Sequence, residues 1–189
     1  MNGAPRHGRV ILLDRDGTLV VDRGYLDNAA GLEFLPGAAE GLRLLYAQGY
    51  RLVVITNQSG IGRGMFPLQS LNDMNARLTA MVSEAGARLE GIYVCPHTPQ
   101  DNCDCRKPNT GLITQAVADL KFDPKNAVVI GDKDSDMECG RRAGAATVLI
   151  STAKSVSRAG IKADAVAADL IAAASAVFAL HAAQAAAAP

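Results

Sequence analysis

Two carboxylates separated by one arginine, Asp14-Arg15-Asp16, close the apolar run Val10-Ile11-Leu12-Leu13 and lead into Gly17 and Thr18. Acids this close resist double ionisation unless a cation or a shared proton relieves the repulsion. The spacing suits a metal site, an acid/base pair or both. A second group of reactive side chains lies further on, where Cys95, His97, Cys103 and Cys105 offer three thiols and an imidazole within eleven residues. Three cysteines and a histidine complete a tetrahedral zinc set with no position open to substrate, so a zinc ion there is expected to be structural. Arg106 and Lys107 directly follow Cys105. Such an ion would fix where these two cations point, which a long irregular loop would not do unaided. Cys139 falls in an expected helix and reads as a plain buried residue.

These groups need a scaffold, and the apolar pattern supplies one. Unbroken runs at Val10–Leu13, Arg51–Thr56, Gly91–Cys95, Ala127–Gly131 and Ala146–Ile150 read as strands buried on both faces. Helical periodicity fills the gaps: about eleven residues opened by Pro36 and Gly37 and stopped by Gly49, then about Pro67–Glu84, Gly111–Leu120, and a helix through Ala143. Residues 19–35 and the glycine-rich stretch after Thr56 read as loops. The alternation predicts an α/β fold, a doubly wound parallel sheet of Rossmann-like type. Asp14 and Asp16, Thr56 and Asn57, Arg106 and Lys107, and Asp132 with Asp136 then fall at one edge of the sheet, where such folds bind ligands.

At 189 residues one domain spanning 1–189 is expected, with a zinc-binding loop at 95–105 and an alanine-rich helix and tail over about 165–189. Lys plus Arg and Asp plus Glu number 19 each, so no global field favours nucleic acid or an anionic membrane, and aromatics at 4% leave little surface for stacking bases. The stretch Leu170–Pro189 has no Asp, Glu, Lys or Arg, yet Leu170, Ile171, Val177 and Phe178 recur at helical spacing, which fits a docked helix better than a membrane span. The first ten residues hold no apolar core of a secretory signal, so a cytoplasmic location is expected, and a monomer is the default.

The motifs Asp14-Arg15-Asp16-Gly17-Thr18, Thr56-Asn57-Gln58, Lys107 and Gly131-Asp132 together resemble the four motifs of the haloacid dehalogenase-like phosphatases, over about positions 9–150. The resemblance implies a magnesium-dependent phosphoric monoester hydrolase. Asp14 would be the nucleophile that takes the phosphoryl group as an aspartyl phosphate. Asp16 would protonate the leaving alcohol and later activate water. Thr56 and Lys107 would hold the equatorial phosphoryl oxygens. Magnesium, which favours oxygen ligands, would sit on Asp14, the backbone carbonyl of Asp16, and Asp132. Asp136 would support this set from behind.

Within the family, the zinc loop resembles phosphatases of a sugar bisphosphate and of a phosphorylated amino alcohol. The runs Val21-Asp22-Arg23-Gly24-Tyr25 and Thr56-Asn57-Gln58-Ser59-Gly60-Ile61-Gly62-Arg63-Gly64 look like the sugar type, with Gly62 where that type usually has alanine. The resemblance assigns Asp22, Arg23, Gly24, Tyr25, Thr56, Asn57, Gln58, Ser59, Arg106 and Lys107 to substrate contacts. Arg23, Arg63, Arg106 and Lys133 at the active edge are more cations than one phosphate requires, which agrees with a second anionic group on a small sugar phosphate. No large inserted cap domain is visible between the motifs. An alternative from another class is a phosphoryl-accepting receiver domain, which lacks an acid two residues after its nucleophile. Asp16 argues against it.

Overall fold

The computed structural model describes residues 8–151 and 162–186. The apolar runs form β1 (Val10–Leu13), β2 (Arg51–Asn57), β3 (Leu89–Cys95), β4 (Ala127–Gly131) and β5 (Ala146–Ile150), joined at the edge by β6 (Ala165–Ala167). All pair in parallel in the order β3-β2-β1-β4-β5-β6. Among the described residues six α-helices connect and cover them: α1 (Ala38–Ala47), the single turn α2 (Ser59–Gly62), α3 (Leu68–Glu84), α4 (Gly111–Leu120), α5 (Asp134–Ala143) and α6 (Leu170–Ala186).

The side-chain period of two divides each buried strand between two apolar layers. Ile11, Leu13, Leu52, Val54, Val128 and Ile130 face α1, α3 and α6, whose Leu42, Leu45, Met74, Leu78, Ala173 and Val177 complete that layer. Val10, Leu12, Val53, Ile55 and Val129 face the other way, against Leu112, Ile113 and Ala116 of α4 and Cys139 of α5. Both sides of β1 are therefore apolar without interruption, and its first polar residue comes where the strand ends. The chain leaves β1 toward β2 on one flank and returns to β4 on the other, so the strand order reverses beside Asp14. That reversal opens the crevice in which open α/β sheets hold ligands.

Three expectations require correction. The region from 165 is not helical at its start: Ala165–Ala167 is an edge strand, and α6 begins at Leu170. A strand of three residues with Val166 66% exposed offers no apolar run to read. The glycine-rich stretch after Thr56 is not wholly a loop, because Ser59–Gly62 closes one helical turn held by bonds from Gln58 N–H to Cys95 O (2.7 Å) and from Gly62 N–H to Pro96 O (2.9 Å). On α6 the buried stripe is Leu170, Ala173, Ala174, Val177 and His181, while Ile171 is exposed. His181 is buried because its Nδ1 meets the Tyr50 hydroxyl at 2.7 Å and its ring stacks on Tyr50.

Residues 19–35 fold back over the end of β1. Val21 N–H donates to Glu33 O and Leu35 N–H to Leu19 O, both at 3.0 Å, and Val20 bridges Phe34 in antiparallel fashion. Among the described residues no large inserted domain interrupts the sheet, and no helix is long and apolar enough to cross a membrane. The N-terminal residues 1–7 and the end of the alanine tail, 187–189, on which two sequence expectations fall, lie outside the described residues.

α1 and α6 approach closely at Gly41, where an added Cβ would meet the backbone of Leu170 at 2.7 Å. Alanine in place of glycine gains about 1 kcal/mol in helix propensity. Overpacking against an unyielding backbone costs about 1–3 kcal/mol, occasionally more. Gly41→Ala is therefore expected to lower the urea midpoint despite its better propensity, and a raised midpoint would show that α6 can shift freely.

Candidate active site

Asp14 is the first residue beyond β1, and its backbone N–H still bonds to Ile130 O of β4 at 2.9 Å, so its side chain is set by the sheet itself. Lys107 reaches it from the loop after β3. The Lys107 ammonium lies 2.7 Å from Asp14 Oδ1, 2.6 Å from Asp136 Oδ1 and 2.8 Å from the Ile55 carbonyl, with the side chain buried. Burial alone would favour the neutral amine, but the Asp136 and Asp14 carboxylates override it and raise the pKa of Lys107 above the ordinary value. Its backbone is clamped as well: Asn57 Nδ2 donates to Lys107 O and Lys107 N–H donates to Asn57 Oδ1, each at 3.1 Å.

Asp14, Asp132 and Asp136 bring carboxylate oxygens within 4.8 Å of one another. Burial, reinforced by the negative charges of Asp14 and Asp136, pushes Asp132 up to about 7 even though Lys133 opposes it. Asp132 Oδ1 is buried without a hydrogen-bond partner among the described residues. Gly17, at φ +87°, passes so near that an added Cβ would lie 2.3 Å from Asp132 Oδ2. An unpartnered buried carboxylate oxygen beside two further carboxylates fits a hard divalent cation, which takes oxygen ligands. Asp136 is the least free of the three. One of its oxygens contacts Lys107, and the other accepts from the Lys133 N–H at 3.1 Å. Burial raises its pKa.

Asp16 faces the same small cleft, whose lining includes Thr56, Asn57, Lys133 and Ser135. Its carboxylate is held by the Arg15 guanidinium and by the side-chain amide of Gln58, which also donates to Thr56 Oγ1 at 2.9 Å. Burial raises the Asp16 pKa, with the Arg15 charge working against it.

The remaining residues expected at the site stand further out. Lys133 Nζ lies 3.1 Å from Asp22 Oδ2, Asp22 Oδ1 accepts from the Gly24 N–H, and Arg23 pairs with Glu33 at 2.7 Å. Tyr25 and Arg63 are exposed, Ser59 opens α2, and Arg106 donates to the His97 carbonyl at 3.1 Å. Gln58 is buried and engaged with Arg15, Asp16 and Thr56 rather than presented to the cleft. Two residues were not anticipated. Ser135 lines the cleft from the first turn of α5, one helical step from Asp136. Arg15 is buried at 2%, and the signal for it was in plain view: a residue between two acids at the mouth of a buried strand has little access to water.

Beyond β3, Cys95 Sγ lies 3.6 Å from Cys103 Sγ and 3.7 Å from His97 Nδ1, while Cys105 Sγ lies 3.4 Å from Cys103 Sγ and 3.2 Å from His97 Nδ1. Zinc bonds of about 2.3 Å to sulfur and 2.0 Å to nitrogen imply tetrahedral edges of roughly 3.5–3.8 Å. The two edges from Cys95 fall in that range and the two from Cys105 are shorter, so the four atoms converge closely enough for one zinc ion to be held among them. Burial pushes the Cys95 thiol up to about 12, whereas bonds from Cys105 and Cys95 outweigh burial at Cys103 and bring it down to about 7.

A buried lysine locked to strand-end carboxylates, beside an acidic cluster that suits a cation at the reversal of a parallel sheet, is an arrangement suited to handling a phosphoryl group. The HAD-hydrolase-like family model matches residues 104–173. The chain is 40% identical over 162 residues to the D-glycero-beta-D-manno-heptose-1,7-bisphosphate 7-phosphatase of Haemophilus ducreyi, covering 82% of this chain and 89% of that one. It is 40% identical to the enzyme of the same name from Helicobacter pylori, over 76% of this chain and 83% of the other. The crystal structure of a D,D-heptose 1,7-bisphosphate phosphatase from B. bronchiseptica, complexed with magnesium and phosphate, superposes with a TM-score of 0.84 at 29% identity, covering 91% of this chain and 99% of that one. The chain belongs to the haloacid dehalogenase-like phosphatases.

The raised pKa of Asp132 gives cation binding a pH dependence. A carboxyl raised to about 7 binds its proton in the folded, metal-free protein below that pH, and a cation must displace it. Magnesium is therefore expected to raise the melting temperature more at pH 8 than at pH 6, because ligand affinity adds directly to folded-state stability. Equal shifts at the two pH values would remove Asp132 from the cation site.

Proposed function

We propose that this chain removes the 7-phosphate of D-glycero-D-manno-heptose 1,7-bisphosphate, a step toward nucleotide-activated heptose for lipopolysaccharide core. The observation that carries the chemistry is the Lys107 ammonium bridging Asp14 and Asp136 beside the Asp14, Asp132 and Asp136 cluster. The substrate is supported by relatives about 40% identical over most of their length that bear this name. The phosphatase relatives and Asp16 leave the receiver-domain alternative without support.

On this reading Asp14 attacks phosphorus in line with the departing sugar oxygen, forming an aspartyl phosphate. Asp16 gives the leaving alcohol its proton, then takes one from the water that hydrolyses the intermediate. Lys107 and the Thr56 hydroxyl steady the equatorial oxygens as charge spreads over them. Asp14, the carbonyl of Asp16, and Asp132 would hold a magnesium ion, whose positive charge would offset the repulsion between a phosphate dianion and a carboxylate. Asn57 and Lys133 line the cleft and Asp22 touches Lys133; together with Arg23, Gly24, Tyr25, Ser59 and Arg106 they are the residues assigned to recognise the sugar and its second phosphate. Gln58 is buried behind it. Zinc on Cys95, His97, Cys103 and Cys105 anchors the loop that carries Arg106 and Lys107. We take the chain to act as one domain, as a cytoplasmic monomer, on a small molecule and not on nucleic acid or membrane.

Two measurements test this reading. Heptose 1,7-bisphosphate is expected to give a higher kcat/KM than histidinol phosphate, and Asp14→Asn to lose at least about 10³-fold of that activity. The reverse preference would move the chain to the amino-alcohol phosphatases while leaving its chemistry intact. Elemental analysis is expected to find one zinc per chain that is lost in Cys103→Ser with a lower melting temperature, whereas a zinc-free, fully stable wild type would sink the structural-metal role.

A further inference from the structure

Neighbouring residues in an extended chain point to opposite sides, so a two-pronged contact between residues 15 and 16 has to be built. The turn after β1 builds it: the Leu19 and Val20 N–H groups both donate to the Arg15 carbonyl, at 2.9 and 3.0 Å, and Gly17 supplies a positive φ. Arg15 Nε then lies 3.0 Å from Asp16 Oδ2, and Nη2 lies 3.1 Å from Asp16 Oδ1. The same Nη2 donates to Gln58 Oε1 at 2.9 Å. Gln58 Nε2 in turn donates to Asp16 Oδ2 at 2.7 Å and to Thr56 Oγ1 at 2.9 Å. Arg15 is 2% exposed and Gln58 7%, so water does not compete for these bonds. Both oxygens of Asp16 are thereby fixed, while the carboxylate still borders the cleft that holds Asp14, Thr56 and Lys107.

A proton donor works only when it lies within hydrogen-bond reach of the leaving oxygen. A free Asp side chain at the mouth of a cleft samples several rotamers, most of them directed elsewhere. We propose that Arg15 and Gln58 are positioning residues that form a clamp, holding the Asp16 carboxylate aimed into the cleft and in register with the Thr56 hydroxyl through the shared Gln58 amide. This rests on the phosphatase reading above. It differs from a plain role in neutralising a buried charge, because it ties Arg15 to one chemical event, protonation of the leaving alcohol.

The leaving group separates the two. A sugar alkoxide needs a proton as it departs, whereas 4-nitrophenolate leaves without one, and kcat/KM reports only the steps through that departure. Arg15→Met is expected to lower kcat/KM for heptose 1,7-bisphosphate on the order of 10²-fold, the range for loss of a general acid, and for 4-nitrophenyl phosphate less than about threefold. Gln58→Met, which keeps Arg15, is expected to show the same inequality with a smaller loss. Added to Asp16→Asn, Arg15→Met is expected to cost little more, since residues acting as one unit are not additive. In the metal-free protein the Arg15 Nε–H should exchange slowly by NMR, and at least about tenfold faster in Asp16→Asn. Equal losses on both esters, multiplicative losses in the double variant or a rapidly exchanging Arg15 Nε–H would overturn the clamp. A folded wild type that hydrolyses neither ester would overturn the phosphatase reading beneath it.

Discussion

Lys107 is the constraint on which the rest of the site depends. An ammonium with almost no access to water is tolerable only because Asp14, Asp136 and the Ile55 carbonyl lie at 2.7, 2.6 and 2.8 Å. The reverse also holds. Four acids, Asp14, Asp16, Asp132 and Asp136, crowd the end of β1 and β4, and two buried cations, Lys107 and Arg15, face them. Lys133 is shared with Asp22 outside. The inner balance is short by two positive charges, the amount one divalent cation carries. Burial, together with the unbalanced charges of Asp14 and Asp136, pushes Asp132 up to about 7 until that charge is supplied.

Such a balance holds only if the lysine cannot move, and two strands and the loop between them and Lys107 share that task. Asn57 at the end of β2 grips the Lys107 backbone from both sides. Cys95, the last residue of β3, accepts a bond from Gln58 N–H through its carbonyl and joins the sulfur cluster through its side chain. Arg106, bonded to the His97 carbonyl, closes the same loop. The cysteine–histidine cluster and Lys107 are thus one mechanical unit, and the loop from 95 to 107 has fixed ends and a fixed middle.

How much of this could be read from the sequence follows from the range of the forces involved. Strands buried on both faces announce themselves as apolar runs, and β4, β5 and α4 fall where the pattern placed them, to the residue. The convergence of Asp14, Thr56 and Asp132 followed from topology, since parallel strands deliver all their ends to one edge, whereas Lys107, well beyond the end of β3, is brought there by its loop. What the pattern could not carry was set by single contacts across the fold. β6 is three residues on an exposed edge, and its identity depends on pairing with β5. His181 enters the core where it bonds to and stacks on Tyr50, 131 positions away. Gln58 resembled a substrate contact from its motif, but it turns inward because Arg15 is there to meet it, and no periodicity encodes that.

The charged pairs of the site divide into two kinds with different uses. Lys107 with its carboxylates and Arg15 with Asp16 are buried, and removing one partner leaves an unpaired charge in low dielectric, at a cost of about 3–5 kcal/mol. They are in effect fixed, as groups that handle a transferring phosphoryl must be. Lys133 with Asp22, beside the cleft, and Arg23 with Glu33 are exposed, and pairs of this kind contribute about 0–1 kcal/mol. A substrate anion can exchange for Asp22 or Glu33 at little loss. On the proposed reading this resolves how a site without a large cap stays selective: the chemistry sits on pairs too costly to break, and recognition of the second phosphate falls to pairs cheap enough to trade.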